Sequence, residues 1–286
     1  MTVRARTFVA VLASALAVAS CSSTSGSTAA APTSDSVPNL TAEVVRAYDR
    51  GDDAFTQGFE IDGDVLYEGT GLEGSSFVRR TSLADMTELE RVDLPSDLFG
   101  EGITVDGNTL WQITWQDGVA IARDRDTLTE QRRVNYDGEG WGLCTEGRGT
   151  QGRGTADDRL VMSDGTSTLT FRDPTSFDAL DTVDVTLDGN PVERLNELEC
   201  AEDGSIYANV WQTFDIMRID PETGKVTAVI DGTPLWDSMS AADRGGADVF
   251  NGIAQLPGTD RFLVTGKFWP KIFEVRFTDT APVGQN

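Results

Sequence analysis

The chain has 286 residues, 39% of them hydrophobic, and its 47 acidic against 23 basic side chains give a formal net charge of −24. This length suits one sizeable domain, and the negative charge argues against nucleic acid or an anionic lipid surface as a partner. The sequence contains no histidine, which excludes Ser-His-Asp and Cys-His catalysis and histidine-bound zinc. If the chain is an enzyme, a carboxylate, a lysine or a tyrosine must therefore transfer protons.

The N-terminus has the features of an export signal. Arg4 and Arg6 precede an apolar run over residues 8–19, which is too short to span a bilayer. The residues ending at Cys21 resemble the lipobox of bacterial lipoproteins, in which the cysteine is acylated; the alternative is an ordinary secretory signal with a chance cysteine. We predict a signal peptide over residues 1–20, then a lipidated Cys21 and a disordered linker to residue 38. The protein would be anchored at the outer face of the bacterial cell membrane, with the lipid as its only membrane contact.

Beyond the linker, short strand patterns recur with a long period. Five similar segments start at intervals of 40 to 56 residues, and each is followed by a turn signal and further strand patterns. They are Thr56–Phe59, Gly100–Ile103, Gly140–Leu143, Asn196–Glu199 and Phe250–Ile253. Repeats of this length with about four antiparallel strands are typical of propeller blades. The sequence therefore predicts an all-β, five-bladed β-propeller over residues 39–280 and a tail over 281–286, with six blades as the competing count.

The last repeat lacks a fourth strand, because it ends with its third, Ile272–Phe277. A strand-like run before the first repeat, Ala42–Tyr48, belongs to no repeat. Pairing the two would close the ring and remove an exposed sheet edge. We therefore predict that the N-terminal strand completes the fifth blade.

Cys144 and Cys200 lie at equivalent positions on the innermost strands of neighbouring blades. Such positions lie close together near a propeller axis, and an exported compartment permits oxidation. A disulfide and a pair of buried free thiols both remain open, since a disulfide needs Cα atoms within about 7 Å. With Cys21 lipidated, these two are too few for a cysteine zinc site.

Polar and aromatic residues converge at one end of the predicted channel, where the first strand of each blade begins and the second ends. The first-strand position carries Gln57, Glu101, Trp141, Glu197 and Asn251, and the second-strand position carries Gly71, Trp115, Gly165, Trp211 and Lys267. Tryptophans beside a carboxylate and a lysine predict a desolvated ligand pocket. The structural alternative is a channel plugged by aromatic side chains, with Glu101 paired to Lys267.

Six short sequence motifs follow one another along the chain. They are Phe55-Thr-Gln-Gly58, Phe99-Gly-Glu-Gly-Ile-Thr104, Glu139-Gly-Trp-Gly-Leu143, Leu195-Asn-Glu-Leu-Glu199, Tyr207–Trp211 and Val264–Lys271. Together they resemble the plant-type glutaminyl cyclotransferase family, which has bacterial members, and the likeness runs over residues 48–277. The resemblance implies a five-bladed propeller that converts the N-terminal glutamine of peptides to pyroglutamate with release of ammonia, without a metal or other cofactor. It also implies an acid–base role for Glu101 and a substrate pocket formed by Phe55, Gln57, Trp115, Trp141, Asn196, Trp211 and Lys267.

One carboxylate suffices for that reaction, because it can take a proton from the attacking α-amine and return one to the departing ammonia. Gln57, Asn196 or Lys267 could stabilise the oxyanion, and the sequence leaves the choice open. Two other functions fit the same pattern. One is a non-catalytic propeller that binds a peptide or protein at this mouth, and the other is a calcium-dependent hydrolase with carboxylate and amide ligands there. We expect the protein to be a monomer.

Overall fold

A computed structural model describes residues 36–147 and 158–280 of the chain. These residues form twenty-two strands and two helices of six and four residues, so the predicted all-β class is confirmed. Neither helix of this described part is long and apolar enough to cross a bilayer. The signal segment, the lipidation at Cys21, most of the linker and the tail at 281–286 lie outside the described residues and stay predictions.

The strands pair mainly as four-stranded antiparallel units in chain order. After β1 (Asn39–Asp49), the first unit contains β2 (Thr56–Asp62), β3 (Val65–Thr70), β4 (Phe77–Ser82) and β5 (Glu88–Asp93). The second contains β6 (Gly100–Asp106), β7 (Thr109–Thr114), β8 (Val119–Asp124) and β9 (Glu130–Asn135). The third contains β10 (Leu143–Thr145), β11 (Leu160–Met162), β12 (Thr168–Arg172) and β13 (Ala179–Asp184). A hairpin of β14 (Thr186–Leu187) and β15 (Asn190–Pro191) precedes the fourth, which contains β16 (Leu195–Cys200), β17 (Ile206–Val210), β18 (Asp215–Ile219) and β19 (Val226–Asp231). Helices α1 (Thr233–Ser238) and α2 (Ala241–Arg244) lead to β20 (Phe250–Gln255), β21 (Arg261–Gly266) and β22 (Lys271–Asp279).

The N-terminal strand β1 completes the fifth unit. It pairs antiparallel with β22 along most of its length, and its first three residues pair parallel with β19. The partners of Ala42 and Tyr48 are Phe277 and Ile272, which confirms the predicted closure. Because β1 lies between β22 and β19, the fourth and fifth units form one eight-stranded sheet.

The apolar core lies between successive units. Tyr67 and Val78 of the first unit, for example, pack in one cluster with Ile103 and Val105 of the second. Corresponding clusters join the second unit to the third, the third to the fourth, the fourth to the fifth, and the fifth back to the first. Each unit therefore buries apolar side chains against two neighbours, as sheets do in face-to-face packing.

The first strand of each unit lies innermost. Strands β2, β6 and β16 are buried over nearly their whole length, whereas the fourth strands β5, β9 and β13 are almost entirely exposed. Strand β2 contacts β6, β16 and β20, so these first strands surround a common axis. Polar side chains on them consequently face one another across that axis.

A disulfide joins Cys144 on β10 to Cys200 at the end of β16, with the two Cα atoms 5.4 Å apart. Of the two states that the sequence leaves open, the structure has the bonded one. The bridge connects the innermost strands of the third and fourth units and closes a sequence separation of 56 residues.

Candidate active site

One cavity opens where the first strands begin and the second strands end. It has a volume of about 230 Å³ and brings together all eight pocket residues predicted from the sequence, with Phe99 in addition. The lining residues are Phe55, Gln57, Phe99, Glu101, Trp115, Trp141, Asn196, Trp211 and Lys267. Each of the five units contributes at least one of them, so the site depends on the closed ring.

The innermost strands are irregular where the site residues lie. The pairing register shifts in β2, β6, β16 and β20, over Thr56–Gly58, Gly100–Ile103, Leu195–Leu198 and Phe250–Ile253. A β-bulge redirects a side chain and interrupts pairing, and such irregularities are common beside active sites. The first three irregular segments contain Gln57, Glu101 and Asn196, which line the cavity.

Glycines next to these residues let the innermost strands approach closely. A Cβ atom on Gly102 would lie 2.6 Å from the backbone nitrogen of Leu143, and one on Gly58 would lie 2.5 Å from that of Ile103. Both distances are shorter than real Cβ contacts. Glycine is therefore required at these two positions by the close passage of neighbouring backbones.

Glu101 is the buried carboxyl of the cavity, with 4% of its surface exposed. Its Oε1 accepts a 2.8 Å hydrogen bond from Gln57 Nε2, and Gln57 Oε1 accepts one of 3.4 Å from Asn251 Nδ2. Glu101 Oε2 is buried and has no hydrogen-bond partner within the described chain. Burial raises the pKa of Glu101 well above its ordinary value; the Lys267 ammonium opposes this rise and the Glu139 carboxylate adds to it. Such a group can exchange a proton with a bound ligand.

Aromatic rings form much of the cavity wall. The centroids of Phe55 and Phe99 are 6.1 Å apart, and those of Phe99 and Trp115 are 5.5 Å apart. Trp141 and Trp211 form a second pair, packed edge to face at 5.6 Å. The Trp115 side chain is 36% exposed, so this wall reaches the protein surface. Walls of this kind exclude water and fix the shape of a bound molecule.

Lys267 is the cationic group of the cavity. Its Nζ lies 4.6 Å from the centroid of the Phe55 ring, within the range of a cation–π contact. Burial lowers the pKa of Lys267, whereas the charges of Glu101 and Asp248 raise it. Neither oxygen of Glu101 is hydrogen-bonded to Lys267 in the described residues, so the structure does not have the direct pairing that a structural plug would require.

Glu139, to which no role was assigned from the sequence, lies beside this wall. Its Oε2 accepts hydrogen bonds from the indole nitrogens of Trp115 at 2.8 Å and Trp141 at 3.0 Å. Its Oε1 accepts one from Gln116 Nε2 at 2.9 Å. A sequence signal existed, because Glu139 stands two residues before Trp141, as Phe99 stands two residues before Glu101.

The expectation that Glu197 shares the mouth with Glu101 is corrected by the structure. Its carboxylate accepts hydrogen bonds from the backbone nitrogens of Phe59 at 3.0 Å and Ile253 at 2.7 Å. Glu197 thus links the fourth unit to the first and fifth, and the preceding residue, Asn196, lines the cavity. The described residues form no group of three or more acidic or cysteine side chains that could hold a metal ion.

Comparison with known proteins gives a consistent result. A family model described as glutamine cyclotransferase matches residues 12–277, a range that contains every residue lining the cavity. A glutaminyl-peptide cyclotransferase from Arabidopsis thaliana is 36% identical over 248 residues, which cover 85% of this chain and 73% of the relative. The crystal structure of Myxococcus xanthus glutaminyl cyclase has a TM-score of 0.73 and 37% sequence identity, and the match covers 85% of this chain and 99% of that one.

Proposed function

The chain belongs to the glutamine cyclotransferase family, and we propose that it is a glutaminyl-peptide cyclotransferase, which converts the N-terminal glutamine of peptides to pyroglutamate with release of ammonia. The observation that carries this proposal is the composition of the cavity. A buried carboxyl group lies there among aromatic rings, a lysine and two amides, close to the protein surface, and one of its oxygens has no hydrogen-bond partner among the described residues. These are the groups that the attack of an amine on an amide of the same residue needs.

Glu101 is the proposed proton carrier. Its Oε2 takes a proton from the α-amine of the substrate while the amine nitrogen bonds to the γ-carbonyl carbon of the same residue. The tetrahedral intermediate then breaks its bond to the amide nitrogen, which leaves as ammonia after taking the proton back from Glu101. The carboxylate is regenerated, and no other reactant is consumed. The raised pKa of Glu101 suits a group that acts first as base and then as acid near neutral pH.

The polar groups near Glu101 are proposed to have different roles. Gln57 already donates to Glu101 and is itself held by Asn251, so both orient the carboxyl group. We assign the stabilisation of the oxyanion to Lys267. Its positive charge lies in the same desolvated cavity, where an electrostatic interaction is most effective. Asn196 Oδ1 is buried without a partner among the described residues, which suits it to accept a hydrogen bond from a substrate N–H.

The tryptophans are proposed to hold the glutamine side chain folded back toward its own amine. Cyclisation requires the two reacting groups of one flexible residue to meet, and enforcing that conformation removes much of the entropic part of the barrier. This role is supported by the lining of the cavity, which includes Trp115, Trp141 and Trp211, the last two packed edge to face.

We further propose that the five four-stranded units are five propeller blades and that the protein is exported and anchored through Cys21. The blade count is supported by the core clusters, each of which lies between consecutive units, and by the completion of the fifth unit by β1. The anchoring is supported by the sequence ending at Cys21 and by the linker after it, which carries almost no charge.

The reaction is tested by incubating the purified protein with a Gln-Xaa peptide, the N-acetylated form of that peptide and the matching Glu-Xaa peptide. We expect ammonia, and a mass loss equal to one ammonia, from the free Gln-Xaa peptide alone, because acetylation removes the nucleophile and glutamate has no amide to lose. A protein that binds the Gln-Xaa peptide but releases no ammonia would instead be the binding propeller considered from the sequence.

A further inference from the structure

We infer that Glu139 is a positioning residue of this site, whose carboxylate fixes the two tryptophans that wall the cavity from adjacent blades. The inference rests on the proposed cyclisation for its kinetic consequences, but its structural content stands on the hydrogen bonds alone. Trp115 follows β7 in the second unit and Trp141 precedes β10 in the third. A single oxygen of Glu139 accepts from both indoles.

Glu139 is held in place from several directions. Its second oxygen accepts from Gln116, which is the residue after Trp115. The backbone nitrogen of Gly140 donates to the Trp115 carbonyl at 2.9 Å, and that of Gly102 donates to the Trp141 carbonyl at 2.8 Å. The segment that carries Glu139 is thus hydrogen-bonded to the loop between β7 and β8 and to β6, the strand that carries Glu101.

The indoles need such a fixed partner. Trp115 is 36% exposed and packs against Phe99 with its centroid 5.5 Å away. An exposed side chain with two rotatable bonds has several accessible rotamers, and holding one of them costs entropy. A hydrogen bond to an ionised carboxylate is roughly twice as strong as a neutral one, so Glu139 selects the rotamer that walls the cavity. The same bond on Trp141 sets the angle of the ring that packs against Trp211.

Glu139 also acts on Glu101 through its charge. Burial raises the pKa of Glu139, but hydrogen bonds from Trp141, Gln116 and Trp115 outweigh it, so the pKa is lowered overall and the group stays ionised. That negative charge adds to the rise in the pKa of Glu101 that burial causes. The other charged group acting on Glu101 is Lys267, which opposes the rise. Burial raises the pKa of the neighbouring Tyr136 well above its ordinary value, so that hydroxyl group is neutral.

Two substitutions separate positioning from charge. Glu139→Ala removes both, whereas Glu139→Gln keeps an acceptor oxygen for the indoles and removes the charge. The matched control is Asp137→Asn, which makes the same charge change at an exposed position in the same loop. Each protein is compared with the wild type in steady-state kinetics on a Gln-Xaa peptide over a range of pH, and by NMR of the indole N–H resonances of its six tryptophans.

Three results are expected. In Glu139→Ala two indole N–H resonances move, those of Trp115 and Trp141, and kcat/KM falls by on the order of tenfold to a hundredfold, mainly through KM. In Glu139→Gln the fall is smaller than in the alanine variant. In both variants the acid limb of the pH profile moves to lower pH, because Glu101 loses a neighbouring negative charge. The substrate amine titrates equally in all the proteins, so differences between profiles report on the enzyme. Asp137→Asn behaves as wild type in every measurement.

Unmoved indole resonances in Glu139→Ala would overturn the inference, as would wild-type kinetics in that variant. Equal losses in the alanine and glutamine variants, with an unmoved acid limb, would show a general effect on folding and would also overturn it. If the wild type releases no ammonia, the proposed function fails, while the NMR comparison still decides whether Glu139 holds the two tryptophans. If Glu139→Ala does not fold, the glutamine variant supplies the acid-limb test.

Discussion

Replacing Glu101 by glutamine isolates the proton transfer from the rest of the site. The amide has the same shape as the carboxyl group, and its oxygen can keep the 2.8 Å hydrogen bond from Gln57 by occupying the place of Oε1. Its nitrogen then occupies the place of Oε2, the oxygen that has no hydrogen-bond partner among the described residues. An amide nitrogen cannot accept the proton of the α-amine. Peptide binding should therefore survive while the chemical step is lost.

The expected loss follows from the role of the group. A positioned general base or acid typically contributes about 10²–10⁴-fold, which corresponds to about 3–5 kcal/mol of barrier height. The assay is ammonia release from a Gln-Xaa peptide under saturating conditions, so that kcat is measured directly. Quenching of tryptophan fluorescence by the peptide measures binding separately, because Trp115, Trp141 and Trp211 line the cavity. A Glu101→Gln variant with wild-type kcat would refute the assignment of the proton carrier.

Glu197→Gln is the matched control, since it changes a second buried glutamate on an innermost strand. In the wild type, the two oxygens of Glu197 accept hydrogen bonds from the backbone nitrogens of Phe59 and Ile253. In the variant, the amide nitrogen would face one of these N–H groups. Leaving that donor unsatisfied should lower the free energy of unfolding by about 1–3 kcal/mol. Turnover per folded molecule should change little. A folded Glu197→Gln protein as inactive as Glu101→Gln would show that the kinetic loss does not identify the base.

The Glu101→Gln variant should also differ from the wild type in how its free energy of unfolding depends on pH. Burial raises the pKa of Glu101 in the folded state, so between its ordinary value and the raised one the folded protein binds more protons than the unfolded chain. The free energy of unfolding consequently falls as pH rises through that window. Glu101→Gln lacks this titration, so its Tm relative to the wild type should increase from acidic toward neutral pH. A constant difference in Tm would contradict the raised pKa.

Three further predictions concern the anchor, the closure and the disulfide. Cys21→Ala should be released from membranes or remain unprocessed, and wild-type protein that is wholly soluble with an unmodified N-terminus would contradict the anchoring. A chain that starts at Asp49 loses the pairing of β1 with both β22 and β19 and should aggregate; cooperative melting at an unchanged temperature would contradict the closure. The Cys144→Ser, Cys200→Ser variant opens a separation of 56 residues and should lose up to about 4 kcal/mol in denaturant titration, with unchanged free energy of unfolding as the contrary result.

Most of the site could be predicted because ring symmetry converts a sequence alignment into spatial positions. Gln57 and Glu101 occupy the same position in successive repeats, so placing one at the channel mouth places the other. The same alignment puts Phe55, Phe99 and Glu139 at one position, two residues earlier. Phe99 could have been found in this way. The contacts of Glu139 could not, because they depend on side-chain rotamers that an alignment does not fix.

Glu197 shows where the alignment fails. Its neighbour Asn196 is also polar, and a strand with strict alternation would turn only one of the two toward the mouth. The register shift between Leu195 and Leu198 breaks that alternation, and its place cannot be read from the residue types. Helices α1 and α2 were missed for a different reason. At six and four residues they are too short to show a helical period, although Ser240 and Asp243 form a capping box at the start of α2.

The cavity contains several destabilising features, and the packing of the surrounding units explains how the fold tolerates them. Glu101 Oε2 and Asn196 Oδ1 are buried without partners among the described residues, and each such group costs about 1–3 kcal/mol. Lys267 is buried nearby, and irregular pairing interrupts four of the innermost strands. None of these features can relax independently, because every four-stranded unit packs against two others, β1 joins the last two units, and a disulfide connects the third unit to the fourth. A closed ring can therefore hold a carboxyl group in surroundings that raise its pKa, which an open sheet edge exposed to water could not do.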